Sequence, residues 1–246
     1  HHKCLSRCRH NAVSLDPEGY PVFQRGICQT CEEMACEKAC PEKAVTIAGA
    51  YWDAESLYEK ISAAMLFYRN SGGGVTLSGG EPLAQPEFVE AFLALCEKTG
   101  LSVGVETSGM FDWGRVETFI AKFEFVYFDM KCLDTGLHQQ FTGCGTGRIL
   151  ENLTRLAELD PSRIIVTIPV IPGINTAEDM ICRIAEFCKK LNIVKIRLLP
   201  YHPFGAVKYG ALGRGYLMAR NLSIGQPELE HYRAVIVESG IDCWIE

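Results

Sequence analysis

Six cysteines crowd the first 40 residues: Cys4, Cys8, Cys28, Cys31, Cys36 and Cys40, half of the 12 in the chain. The run Cys28-x2-Cys31-x4-Cys36-x3-Cys40-Pro41 places four thiolates close enough in sequence to wrap one iron–sulfur cluster. A structural zinc site also takes cysteines tetrahedrally, but it needs only two short pairs and no closing Cys-Pro, so the spacing favours a cluster over zinc. Lys43–Ile47 after Cys40 and Asn11–Leu15 after Cys8 each predict a short strand, one in each of two similar halves. The six later cysteines are scattered and read mostly as small buried hydrophobes.

A second set of chemical residues recurs along the rest of the chain. In Ser78-Gly79-Gly80-Glu81-Pro82, two glycines let the backbone approach a ligand without Cβ interference and tolerate positive φ. A lone Gly-Gly pair is more often just a tight turn, but here it heads a series. Glu106-Thr107-Ser108-Gly109 ends the next strand, Asp129-Met130-Lys131 the one after, Thr167–Gly173 spans the fourth, and Leu199-Pro200-Tyr201-His202 ends the fifth. Polar residues one βα unit apart at strand C-termini are where α/β barrels build active sites. Asp129 and Lys131, two apart on a strand, share a face. They suit a zwitterionic or hydroxyl-rich ligand as well as they suit a structural ion pair.

The elements that must position these residues follow from apolar patterning. It predicts strands at Val75–Leu77, Leu101–Val105, Phe125–Phe128, Ile164–Val170, Val194–Leu198 and Cys243–Ile245. Helices are predicted over Asp53–Arg69, Pro86–Lys98, Trp113–Lys122, Thr176–Lys190 and Pro227–Glu238, with further helical stretches up to Glu158. Continuous apolar strands separated by amphipathic helices predict an α/β fold with a parallel sheet covered by helices, as an open sheet or a barrel. Residues 1–50 form a cysteine-rich first domain, electrically balanced, and 51–246 the second. The stretch from Pro203 to Gln226, with Lys208, Arg214 and Arg220, is a candidate for partner specificity.

Composition removes several classes. A chain of 246 residues with 48% hydrophobic and 22% charged residues is globular. Its net charge of −6 argues against a nucleic-acid partner. No apolar run approaches the ~20 residues of a membrane helix. A cysteine-dense head ahead of an ordinary core fits a reduced, cytoplasmic protein better than a secreted disulfide scaffold. The chain starts His1-His2 without methionine, the mark of a fragment or of tag remnants.

The closing Cys-Pro resembles bacterial two-cluster ferredoxins, in which three cysteines of a run hold one cluster and the fourth crosses to the other. That resemblance implies that Cys28, Cys31 and Cys36 share a cluster with Cys8, and that Cys40 joins Cys4 and ligands this sequence does not show in a second. With the Gly-Gly-Glu-Pro turn, the Asp-x-Lys strand end and the Leu-Leu-Pro-Tyr-His element, the whole chain resembles a glycyl-radical enzyme activating enzyme of the radical SAM superfamily. Activases of the 4-hydroxyphenylacetate decarboxylase type carry a similar ferredoxin-like insert.

The resemblance implies a partial (β/α)6 TIM-like barrel with a small N-terminal ferredoxin-like domain. It implies S-adenosyl-L-methionine and [4Fe–4S] clusters as cofactors, one catalytic and up to two auxiliary. Gly79, Gly80 and Glu81 inherit the methionine end of the nucleotide, and Glu106, Asp129, Met130, Lys131 and His202 line the same pocket. Reductive cleavage of the nucleotide gives a radical that takes hydrogen from a glycine Cα of a partner glycyl-radical enzyme, with flavodoxin or ferredoxin as electron donor. Two departures stand out. The Cys-x3-Cys-x2-Cys motif of the catalytic cluster is absent: Cys4-x3-Cys8 begins it, but residue 11 is Asn. The expectation is that this motif, with the first barrel strand, lies upstream of His1. The second is Thr167, where some relatives carry arginine. The alternatives are another radical SAM oxidoreductase acting on a small molecule, or an inactive or electron-transfer ferredoxin-like protein if the motif is truly missing.

Overall fold

The computed structural model describes residues 1–216, 218–219 and 222–246, so Arg220 lies outside the described residues. The chain divides into two compact units. One comprises His1–Tyr51 with Phe204–Leu217, the other Trp52–Pro203 with Met218–Glu246. The segment holding Lys208 and Arg214 thus groups with the cysteine-rich head rather than with the larger unit.

The larger unit contains a six-stranded, wholly parallel sheet: β1 (Gly74–Leu77), β2 (Ser102–Thr107), β3 (Val126–Asp129), β4 (Ile164–Val170), β5 (Lys195–Pro200) and β6 (Asp242–Ile245). The strands lie side by side in sequence order. Parallel crossovers are right-handed, so adding each strand on the same side puts every crossover on one face. That is the winding of a barrel wall, without the reversal point of a doubly wound sheet.

The two faces of the sheet differ completely. Val103, Val105, Phe128, Val166, Ile168, Val170, Ile196 and Leu198 point to the helices and are at most 3% exposed. There they join Phe92 of α3 (Pro86–Thr99), Leu153 of α5 (Gly147–Leu159), Ile184 of α6 (Glu178–Lys190) and Ile236 of α7 (Gln226–Glu238) in one core. Each buried aliphatic or aromatic side chain contributes about 1.5–3 kcal/mol, which makes this face the main source of stability. The register places Glu106 beside Tyr127, Asp129 beside Thr167, and Thr167 beside Arg197 on the opposite face.

Local sequence explains most boundaries. Asp53 caps α1 (Ala54–Ser62), its carboxylate accepting from Ser56 N–H at 2.7 Å. The predicted single helix over Asp53–Arg69 breaks after Ser62 and resumes as α2 (Met65–Ser71), which Gly72 closes at φ 65°. A fourth helix of the series, α4 (Thr135–Thr142), is capped by Asp134.

Two expectations fail. The predicted helix over Trp113–Lys122 is a pair of 3-10 turns, Trp113–Arg115 and Ile120–Lys122. Val116, Phe119, Ile120 and Phe123 have helical spacing and are buried, but Asp112 caps Gly114 N–H and turns the chain tightly between β2 and β3. In the head, Val13–Leu15 pairs antiparallel with Pro21–Phe23, whereas 43–47 forms no strand. Ile47 instead donates its N–H to Glu37 at 2.8 Å.

Candidate functional site

The Gly-Gly turn is held at both ends by the strand beside it. Ser78 Oγ donates to Glu106 Oε2 at 2.6 Å. From the other side, Glu81 accepts from Thr107 Oγ1 (2.8 Å), Ser108 N–H (2.9 Å), Ser108 Oγ (2.6 Å) and Leu83 N–H (3.2 Å). The two carboxylates thus run in opposite directions between the turn and the end of β2. Between them, Gly79 has φ +130°, and neither Gly79 nor Gly80 has any atom within 4 Å of where a Cβ would stand. The turn is rigidly anchored, yet its backbone faces open space. The carboxylate of Glu81 is wholly engaged in this anchor. Beyond β2, buried Asn152 donates to the carbonyls of Gly109 and Phe111 and fixes the following loop.

Asp129 and Lys131 pair at 2.7 Å as a half-exposed couple beside Thr167. Their position is set from below by Asn175, which is fully buried. Its amide donates to the carbonyls of Lys131 and Pro169 and accepts from Ile171 N–H, each at 2.7 Å. Met130 points the other way: it is 1% exposed within the core, and its N–H donates to Thr167 O at 2.8 Å. Its side chain therefore packs against helices rather than lining the polar face. His202 is exposed just past the end of β5.

Sequence reading passed over Arg197 and Asn175. The signal for Arg197 was present: in Lys195-Ile196-Arg197-Leu198, a cation interrupts an apolar strand at the alternation of a polar face. Asn175 carried no such signal, because a polar residue in a loop is ordinary.

In the cysteine-rich unit all six candidate thiols are unpaired, as are the six later cysteines. Of those six, Cys96, Cys132, Cys188 and Cys243 are buried, while Cys144 and Cys182 are partly exposed. Cys36 has Cys8 and Cys28 as electrostatic neighbours, and burial is the first reason its thiol is pushed up. Cys4 and Cys40 line one cavity of about 240 Å³. The two halves repeat locally. Cys8 Sγ accepts from Ala12 N–H at 3.2 Å and Cys40 Sγ from Ala44 N–H at 3.3 Å. Asn11 and Lys43, each just before that alanine, both have φ 50°. N–H groups of Val45, then Ala44 and Glu42, hold the Cys40 thiol below its ordinary value. Among the described residues no three His, Cys, Asp or Glu side chains converge as a single-ion site requires.

Comparison with known proteins places this arrangement. The profile of the Radical SAM superfamily matches residues 40–188. The isethionate sulfite-lyase activating enzyme of Oleidesulfovibrio alaskensis is 37% identical over 86% of this chain and 68% of its own length. The 4-hydroxyphenylacetate decarboxylase activating enzyme of Clostridioides difficile is 31% identical over 98% of this chain and 77% of its own. A domain of pyruvate-formate lyase-activating enzyme from Bacteroides vulgatus superposes with a TM-score of 0.59 at 29% identity, covering 71% of this chain and 99% of that one. Streptococcus suis SuiB bound to S-adenosylmethionine shares the fold, with a TM-score of 0.61 at 13% identity, over 83% of this chain and 46% of that one. The chain belongs to the radical SAM superfamily, among the activating enzymes of glycyl-radical enzymes. Members of that group use S-adenosylmethionine and a [4Fe–4S] cluster to generate a glycyl radical on a partner protein. No helix among the described residues is long and apolar enough to cross a membrane.

Proposed function

We propose that the polar face of the sheet is the S-adenosylmethionine site of this activase, and that the cysteine-rich unit carries up to two auxiliary [4Fe–4S] clusters. The anchored Gly79–Gly80 turn with open space above it carries the reading. Backbone groups of Gly79, Gly80 and Glu81 take the aminocarboxylate end. Glu106, Asp129, Lys131 and His202 line the remainder, and Met130 contributes only by holding the end of β3. Glu81, Glu106, Asp129 and Glu246 outnumber Lys131 and Arg197 on this face, which favours a ligand bearing a sulfonium and an ammonium.

When bound, the catalytic cluster supplies the electron that breaks the C5′–S bond of the nucleotide, which leads to loss of hydrogen from a glycine of the partner protein. Residues 1–246 contain no Cys-x3-Cys-x2-Cys run, so its ligands are proposed to lie outside them. The protein's own part is to orient the nucleotide and keep the reacting atoms from water. In the head, Cys8, Cys28, Cys31 and Cys36 form one proposed ligand set, supported by the proximity of Cys36 to Cys8 and Cys28. Cys4 and Cys40, which share a cavity, contribute to a second. Held there, such clusters would supply one-electron capacity between an external donor such as flavodoxin or ferredoxin and the nucleotide site, with a structural or partner-docking role as the alternative.

The test is anaerobic reconstitution of the full-length protein. Expected results are iron well above the about four atoms of a single cluster, 5′-deoxyadenosine on reduction, and a glycyl-radical resonance on a partner enzyme. Iron without nucleotide cleavage would leave an electron carrier, and cleavage without a protein radical would leave a small-molecule enzyme.

A further inference from the structure

Arg197 sits in mid-strand on β5 with its side chain only 8% exposed. A guanidinium taken out of water persists only where its N–H groups find acceptors. Nε and Nη2 both donate to Thr167 Oγ1, at 3.2 and 3.1 Å. Nη2 also donates to Glu106 Oε1 at 3.3 Å, and Nη1 to Glu246 at 2.6 Å. The guanidinium carbon lies 3.9 Å from the centre of the Tyr127 ring. One side chain on β5 therefore touches β2, β3, β4 and the residue after β6. Glu106 passes the restraint on, because its second oxygen accepts from Ser78, the first residue of the Gly-Gly turn.

We infer that Arg197 is a positioning residue of the nucleotide site: acting through Glu106 and Ser78, it fixes the Gly79–Gly80 turn against the polar ends of β3 and β4. The inference rests on reading that turn as the S-adenosylmethionine site. A lysine ammonium has no planar fork and cannot span the same set of acceptors. Burial and satisfied hydrogen bonding alone are compatible with a purely structural arginine, so the test must report on the link to Glu106.

Equilibrium binding of S-adenosylmethionine to the anaerobically reconstituted full-length protein is compared for wild type, Arg197→Met, Glu106→Gln and the double variant. Each single change is expected to weaken binding at least about tenfold, the scale of a lost charged hydrogen bond. The double variant should bind within about threefold of the weaker single one, because both break the same link. Wild-type affinity in Arg197→Met, or losses that multiply in the double variant, would overturn the inference while the nucleotide site stands. No binding by wild type removes both. If Arg197→Met does not fold, Thr167→Val unhooks the guanidinium from β4 while keeping the charge. It too must weaken binding, and unchanged affinity there overturns the inference.

Discussion

Replacing Glu81 with Gln tests whether the Gly-Gly turn is held as the structure implies. The carboxylate accepts four hydrogen bonds, two of them from the N–H and hydroxyl of Ser108. An amide keeps the shape but has only one acceptor oxygen, so in either orientation one backbone N–H, that of Ser108 or of Leu83, faces an NH2 and loses its bond while the remaining ones weaken. Hydrogen bonds to a charged acceptor contribute about 1.5–3 kcal/mol each, and the part-buried setting favours the low end, giving a loss of about 2 kcal/mol. For a unit of this size that lowers the thermal midpoint by about 4–8 °C. Differential scanning calorimetry measures it directly, with nucleotide binding followed alongside. A midpoint within about 1 °C of wild type would show that the anchor carries no energy. A lowered midpoint with unchanged S-adenosylmethionine affinity would show that the turn is not where the nucleotide sits.

The other expectations concern separate parts of the fold. Asp129→Ala and Lys131→Ala break a half-exposed pair, so stability should change by less than about 1 kcal/mol while S-adenosylmethionine binding weakens and iron content stays constant; iron loss in either variant would assign the pair to folding. Asn175→Ala removes three hydrogen bonds to part-buried backbone groups and should cost about 2–3 kcal/mol, read as a lowered urea midpoint with an unchanged slope. Burial pushes the thiols of Cys188 and Cys243 up to about 12. Both stay neutral in the fold at pH values where the unfolded chain ionises them. The stability they contribute is complete below the ordinary thiol range and declines as pH rises from there toward about 12. Thermal midpoints taken across that alkaline range should therefore fall more steeply in wild type than in Cys188→Ala, and equal slopes would contradict the assignment.

The helices and strands of the larger unit were legible because apolar residues must cover one face of a parallel sheet, and Asp53 and Gly72 mark a visible start and stop. Periodicity failed at Val116, Phe119, Ile120 and Phe123. Buried residues at helical spacing satisfy a pair of tight turns as well as a helix, and the Asp112 cap on Gly114 N–H starts the first of those turns. The strand expected over 43–47 failed for a similar reason, since Val13–Leu15 finds its antiparallel partner in Pro21–Phe23. Met130 was legible as part of a polar strand end, yet alternation turns its side chain into the core.

Sequence alone determined that thiols gather at one end of the chain and that polar residues recur at strand C-termini, because spacing and alternation are local properties. It could not determine which carboxylate serves a ligand and which serves the fold. That depended on neighbours distant in the chain: Ser108 claiming Glu81, and Arg197 reaching across β4 and β3 to Glu106. Hydrogen-bonding capacity is finite, and only the packed strands decide where each acceptor spends it.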